Sequence, residues 1–531
     1  MQTIPSKCTV LIVGGGPGGS FTAAILAREG IDTVILEANR FPRYHIGESM
    51  LPSLRHFLRF IELDDVFMAH GFFRKNGAAF KLNQKNREGY TDFLSAGGPQ
   101  NFTWNVIRSE SDDLMFRHAG KSGAKTFEGV KVTSIDFASR PMDPIDSAET
   151  ISECPVSASY ERKSDGKAGK IKFDYIVDAS GRAGILSTKY LKNRKYNKAL
   201  KNIAFWGYWT RTGSYGLGTN RAYSPYFEAL KDETGWAWLI PLHDGTTSVG
   251  IVMNHSVAIA RRASSEKGGD AQPLKDFYQR SLTLAPNLLQ LLAGGKLASD
   301  IKSASDYSYS SSSYAIPYAR IIGDAGCFID PFFSSGVHLA LTGGLSAAAT
   351  ICAAIRADCT ENKAAKWHSE KIAEAYSRFY IVVLSAYWQM RFQDQNILSQ
   401  MQEDDFDLAF DKIKPIIQGT VDVGSKISQS ELTEVLNFCA AAFDHTQPEE
   451  KEHILRKFAF NRVNIIGDNL RQSTDEYEDS HSLEELRVLT HIRARDAMDT
   501  RTTFDLDNFS TDIINGMRVN LQRGELGLVH V

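Results

Sequence analysis

The stretch Cys8-Thr9-Val10-Leu11-Ile12-Val13-Gly14-Gly15-Gly16-Pro17-Gly18-Gly19-Ser20 decides the fold. Cys8 to Gly14 reads as a short buried strand, Ser20 to Arg28 as a helix and Thr33 to Leu36 as a second strand. The unit is therefore a Rossmann-like βαβ opening. Its glycines satisfy GxGxxG between a strand and a helix, the context that gives the motif its value. Gly14 permits the tight turn, Gly16 lets backbone N–H groups approach a pyrophosphate, and Gly19 allows close helix–strand packing, with Pro17 inside the same cradle. An anion would sit on the helix N-terminus. Glu37 ends the second strand 18 residues after Gly19, where an acid bonds a ribose hydroxyl and repels a 2′-phosphate. FAD or NAD fits that arrangement better than NADP.

Length and composition set the frame around this unit. At roughly 150 residues per domain, 531 residues suggest two to four packed units. Hydrophobic residues make up 43% and charged residues 23%, which excludes disorder, collagen and coiled coil as the main state. Lysine plus arginine numbers 60 against 63 acidic residues, so no basic excess points to nucleic acid as a partner. The six cysteines form no CxxC pair, and no signal-peptide pattern appears, so we expect a soluble, intracellular, cytoplasmic protein. The uncharged run Phe332 to Ile355 is rich in Gly, Ser, Ala and Thr and contains His338, so no membrane span is expected. Thirteen histidines show no HExxH or other ligand spacing, and no metal is implied.

Further along, Ser139 to Gly169 reads as a surface loop or hairpin insertion before the apolar strand Tyr175 to Val177. Asp306 to Tyr314, where serines alternate with tyrosines, fits an ordered strand and its turn as well as disorder. Beyond Cys359 glycine thins out and three capping boxes appear, Ser428 with Glu431, Thr446 with Glu449 and Ser482 with Glu485. The expected class is α/β, with residues 1–358 as a split dinucleotide domain holding an inserted substrate sheet at about 190–313. Residues 359–531 are expected to be mostly helical.

The segment after the cradle separates FAD from NAD. Phe41-Pro42-Arg43-Tyr44-His45-Ile46-Gly47-Glu48-Ser49 stands where a plain dehydrogenase would continue its β-α alternation. Arg108, Asp178-Ala179-Ser180-Gly181-Arg182 and Gly323-Asp324-Ala325 come later in the chain. In that order they resemble the dispersed FAD fingerprints of flavoprotein monooxygenases and their relatives. The resemblance assigns Arg43, Glu48, Ser49, Arg108 and Asp324 to the cofactor, with Asp324 on the ribityl chain.

Three further segments narrow the resemblance. Gly235-Trp236-Ala237-Trp238-Leu239-Ile240-Pro241 carries WxWxIP, Lys75 lies in Lys75-Asn76-Gly77-Ala78-Ala79-Phe80, and Asp330-Pro331-Phe332-Phe333-Ser334-Ser335-Gly336-Val337 comes after the Gly-Asp motif. Together they resemble the flavin-dependent halogenases, and within them the fungal phenol-type enzymes that chlorinate polyketide aromatics such as resorcylic acid lactones. The resemblance covers about residues 8 to 358. It implies that reduced FAD, O2 and chloride or bromide yield a hypohalous acid, that Ser335 and Gly336 hold the halide, and that Val337 extends towards FAD. Consecutive N–H groups opening a helix from Val337 to Ile355 would suit an anion. Trp236 and Trp238 would keep the organic substrate from the flavin; as residues i and i+2 of a strand they could equally be core.

Lys75 would be the catalytic residue, either donating a hydrogen bond to hypochlorous acid or trapping it as a chloramine; the sequence leaves both routes open. Where Phe333 stands, tryptophan halogenases carry a glutamate. Its absence points to a more electron-rich substrate, a small phenol. No second GxGxxG appears, which implies a separate NAD(P)H flavin reductase as partner. Phe379, Tyr380, Tyr387, Trp388 and Phe392 lie on a helical period and read as domain-interface core ahead of a pocket wall. Two rivals remain on the residues alone: a flavin-dependent aromatic hydroxylase or monooxygenase, and a non-catalytic FAD-fold escort protein.

Overall fold

The computed structural model describes residues 3–85, 87–94, 98–141, 151–266, 274–391, 393, 509 and 511–531. In chain order its first half runs β1 (Lys7–Val13), α1 (Pro17–Arg28), β2 (Thr33–Glu37), α2 (Ser53–Phe60), α3 (Asp64–His70), β3 (Phe73–Lys75), β4 (Gly77–Lys81), β5 (Gly89–Asp92), β6 (Thr103–Asn105), α4 (Arg108–Lys121), β7 (Lys125–Glu128), β8 (Val130–Pro141), β9 (Ile151–Arg162) and β10 (Ala168–Asp178). The second half runs β11 (Arg194–Thr210), β12 (Tyr226–Ala229), β13 (Gly235–Pro241), β14 (Thr247–Asn254), α5 (His255–Glu266), α6 (Leu274–Leu282), α7 (Pro286–Leu291), β15 (Lys296–Leu297), β16 (Lys302–Ser311), β17 (Ala315–Ile316), β18 (Ala319–Ile321), α8 (Ser335–Arg356), α9 (Glu361–Arg391), β19 (Met517–Asn520) and β20 (Gly527–His530).

The opening βαβ unit forms as its pattern requires. β1 and β2 pair in parallel and join β7, β10 and β18 in one sheet of order β17-β18-β10-β1-β2-β7. β2 is buried throughout and β1 over its last four residues, the condition of a parallel sheet covered on both faces. Helices α1 and α8 cover one face and share its core with Val10, Ile12, Phe21 and Leu345. β8 and β9 form the long antiparallel hairpin that the polar stretch after Ser139 announced, and β9 pairs with β10.

A second sheet has the order β15-β11-β14-β13-β12-β4-β5, with β16 on β11. Its strands from β11 to β16 span Arg194 to Ser311, and the serine-rich segment is strand β16. The sequence reading missed that β4 and β5 join the same sheet, β4 lying parallel to β12. A residue of β4 meets its partner only after more than a hundred intervening residues have folded back, so no local pattern reports the pairing.

Helix α9 agrees with a helical region beyond residue 359. The far end departs from it: β19 and β20 pair as an antiparallel hairpin, turned through Gly524 in the left-handed region. Packing also runs across residue 358, because Trp367, Met517, Val519, Leu526 and Leu528 belong to the same core as Phe21 and Leu345. The three capping boxes between residues 428 and 485 lie outside the described residues. Among the described residues one helix, α8, is long and apolar enough to cross a membrane, and 83% of its apolar window is buried within the protein.

Candidate active site

The turn from β1 into α1 is built on contact distances. Gly14 has φ +104°, and a Cβ there would lie 2.3 Å from the Ala179 carbonyl oxygen, so the strand end can bring these backbones together only with glycine. Glu37 Oε2 accepts the Gly15 N–H at 2.7 Å and Oε1 accepts the Asn39 N–H at 2.8 Å, fixing the carboxylate at the end of β2. Arg43 bridges Glu37 and Asp112, at 3.7 and 3.3 Å. Buried Arg108 grips Asp112 at 2.8 and 3.1 Å and donates to the Ile46 and Gly47 carbonyls, so α4 anchors the loop carrying Glu48 and Ser49.

Gly14, Gly16, Pro17, Gly19, Glu37, Arg43, Glu48, Ser49, Arg108, Asp324 and Val337 all line one cavity of ≈ 820 Å³, and Trp236, Trp238 and Gly336 line it too. Its size is that of a cofactor site, and one end is the N-terminus of α1, where a pyrophosphate is favoured. Burial raises Asp324 to about 6, with Arg108, Arg182 and Arg194 pulling the other way. These residues fit FAD.

At the other end β13 presents its two indoles. Trp236 and Trp238 pack 5.7 Å apart, and Trp206 of β11, which the sequence reading did not single out, stands 6.5 Å from Trp238 on the cavity wall. Each indole N–H is held: Trp236 donates to the Tyr387 hydroxyl at 2.8 Å and Trp238 to Ser248 Oγ at 3.1 Å. The Tyr387 hydroxyl donates to Asp330 Oδ2 at 2.6 Å, and Asn202 donates to both at 2.7 and 3.0 Å. Tyr380 and Tyr387 are thus core residues beside Trp236, in keeping with the core reading of that helix face. The side chains of Trp388 and Phe392 lie outside the described residues.

Lys75 is not on the cavity surface. It ends β3, is 2% exposed, and donates to Ser49 Oγ and the Met50 carbonyl, both at 2.8 Å. Ser49 is the wall between lysine and cavity. Among the described residues Lys75 has no carboxylate partner, and burial lowers its pKa to about 7. Beside Ser49, buried Glu48 is raised to about 7 by burial, against the lowering effect of hydrogen bonds from Tyr208 and Ser248 and of Arg108. Tyr208 donates to Glu48 Oε1 at 2.6 Å, lies 3.0 Å from the Tyr44 hydroxyl, and Trp206 donates to Tyr44 at 2.7 Å. Since Tyr44 is 49% exposed, this chain joins a buried acid to solvent.

The loop before α8 is shaped for the helix entry. Asp330 accepts the Phe332 N–H at 3.1 Å, and Ser334 adopts φ +57° before the helix begins. Ser334, Gly336 and Val337 face the cavity, and no atom lies within 4 Å of where a Gly336 Cβ would be. Ser335 is fully buried behind them, and its hydroxyl has no hydrogen-bond partner among the described residues; the expectation for Ser335 concerns its backbone amide. His338, the histidine next to this loop, bonds Ser53 at 3.0 Å, and burial lowers it to about 3.

The tryptophan halogenase family model matches residues 9–106 and 101–407. The chain belongs to the flavin-dependent halogenases. It is 55% identical to the flavin-dependent halogenase ascD of Acremonium egyptiacum, over 99% of this chain and 93% of that one. It is 48% identical to the sulochrin halogenase gedL of Aspergillus terreus, over 99% and 94%. Among solved structures the myxobacterial chondrochloren halogenase CndH superposes with a TM-score of 0.64 at 26% identity, covering 82% of this chain and 98% of that one. The halogenase uses FAD, with halide and O2 as co-substrates, to halogenate an aromatic compound.

Proposed function

We propose that this halogenase chlorinates or brominates an electron-rich phenolic aromatic, of the polyketide kind, and that Lys75 directs the hypohalous acid onto it. The observation that carries the reading is Lys75 itself. It is a buried amine with two of its three donor positions used, on Ser49 and Met50, and no carboxylate among the described residues holding it charged. A third N–H can reach the oxygen of hypohalous acid and polarise the O–halogen bond. With a pKa near 7 the neutral amine is also populated, so the chloramine route stays available.

Reduced FAD, when bound, supplies the electrons that activate O2 for oxidation of the halide. The residues do the rest. The amides of Ser335 and Gly336, at the start of α8, hold the halide, with Gly336 on the cavity wall and Val337 extending towards FAD. Trp206, Trp236 and Trp238 narrow the cavity so that a small oxidant passes and an aromatic ring does not. At Lys75 the ring carbon ortho or para to the hydroxyl forms the C–halogen bond, the O–halogen bond breaks, oxygen leaves as water after gaining a proton, and the ring proton goes to solvent.

The phenol reading is supported by Phe333 standing where tryptophan halogenases carry a glutamate, and by the likeness to a relative named for sulochrin. A separate flavin reductase fits a sequence with one GxGxxG. A reducing, intracellular setting fits five described cysteines that form no disulfide among themselves. The test is turnover of a phenol panel with added NADH, flavin reductase, and chloride or bromide, read by isotope pattern in mass spectrometry. Halogenated phenol is expected from the wild type, and Lys75→Ala should lose it while still binding FAD. Oxygenated but never halogenated products would overturn the assignment.

A further inference from the structure

Outside the flavin cavity, three side chains from separate parts of the chain converge. His70 closes α3, Glu110 lies in the first turn of α4, and His243 sits in the turn between β13 and β14. His70 Nε2 is 2.7 Å and His243 Nε2 3.1 Å from the same oxygen, Glu110 Oε2. All three atoms fall within 4.8 Å of one another. The Phe72 ring stands behind both imidazoles, 4.3 Å from His70 and 5.3 Å from His243, and limits how they can turn. His243 Nδ1 is buried with no hydrogen-bond partner among the described residues.

We propose that His70, Glu110 and His243 form a binding site for a divalent transition-metal ion of the zinc class. Two imidazoles and one carboxylate are a donor set for such ions, which leaves a fourth position for water. At zinc–ligand distances of about 2.0–2.1 Å, tetrahedral geometry puts neighbouring ligand atoms roughly 3.3 Å apart. The observed 2.7 and 3.1 Å need only a small outward relaxation, and the side chains, 20–36% exposed, have room for it. A hard ion such as Mg²⁺ prefers all-oxygen sites and is not expected here.

The site would act as a clip. His243 lies two residues beyond β13, the strand of Trp236 and Trp238. Glu110 lies two residues beyond Arg108, which holds the loop of Glu48 and Ser49. An ion bound to both would fasten the tryptophan strand to the helix that positions the loop in front of Lys75.

The experiment uses the full chain with FAD bound, stripped with a chelator and titrated with Zn²⁺ against a chromophoric competitor, with Mg²⁺ in parallel. One Zn²⁺ per chain is expected, with a rise in Tm that Mg²⁺ does not give. His243→Gln and Glu110→Gln should each weaken Zn²⁺ binding roughly 100-fold or more, since loss of a ligand costs at least as much as loss of a group supporting one. Co²⁺ should give visible bands without thiolate charge transfer, and Cys359→Ser should bind as the wild type does. Zn²⁺ binding no tighter in the wild type than in a His70→Asn/His243→Asn double variant would overturn the proposal, as would thiolate bands lost with Cys359. The partly exposed double variant can be checked for folding by its FAD absorbance, so a failure to bind metal is distinguishable from misfolding.

Discussion

Glu48 and Lys75 flank Ser49 with opposite titration behaviour, and both can be read in stability against pH. Glu48 sits near 7 in the folded protein, above the ordinary 4.5, so between those values the folded state holds the extra proton. Stability should therefore fall as pH rises from about 4.5 to 7, by about 3 kcal/mol, and Glu48→Gln should flatten that limb. Lys75, lowered from 10.5 to about 7, has the reverse sign: the unfolded chain holds more protons between those values. Stability should rise with pH over that window, and Lys75→Met should remove the rise; urea denaturation of flavin-free protein at a series of pH values checks both. At Gly250 the Trp238 ring leaves no room, since a Cβ would lie 2.2 Å from Cη2. Gly250→Ala should cost about 1–3 kcal/mol, seen as a lowered Tm and altered tryptophan fluorescence. The cradle glycines and Glu37 are readable from the sequence because a strand–turn–helix cradle demands those residue types at fixed spacing, whereas Asp324 is reached only through the resemblance. The roles of Tyr44, Trp206 and Tyr208 are not readable, because a hydrogen bond such as Tyr208 to Glu48 spans 160 residues and leaves no local pattern.

At the level of elements, the bond chain Trp236–Tyr387–Asp330–Asn202 ties β13, α9, the turn before α8 and β11 together. Asp330 both accepts the Tyr387 O–H and caps the turn leading into α8, where we propose the halide binds. Tyr387→Phe should therefore act at two places. Losing the buried hydroxyl leaves the Trp236 N–H unpaired and should cost about 1–3 kcal/mol. Halide affinity should also weaken, measured by the chloride dependence of turnover, whereas a change confined to the core would lower Tm alone. Of the α9 aromatics, Tyr380 and Tyr387 are buried core with Phe379 packed against them, the role a helical period of apolar rings suggests. The sequence could not place β4 and β5 beside β12, because parallel pairing with a distant strand leaves no trace in local periodicity.

Across the whole molecule the hairpin β19–β20 does more than close the fold. Trp367 donates to the Met517 carbonyl at 3.1 Å, and Glu29 accepts from the Gly524 and Leu526 N–H groups at 2.9 and 3.3 Å while pairing with Arg356 at 2.8 Å. Removing residues 509–531 should expose the apolar surface of α8 and α9, with loss of FAD binding or soluble yield in place of a gradual fall in activity. The hairpin adds two short strands to a region expected to be mostly helical, turned through Gly524 in the left-handed region. During synthesis the consequence is one of timing. The sheet begun at Lys7 needs strands up to Ile321, and its covering layer is sealed by residues near 528. A nascent chain leaving the ribosome therefore carries an unfinished dinucleotide-binding half until residues near 528 have emerged, with the apolar faces of α1 and α8 uncovered until then, so its yield should depend on chaperones far more than its final stability would suggest.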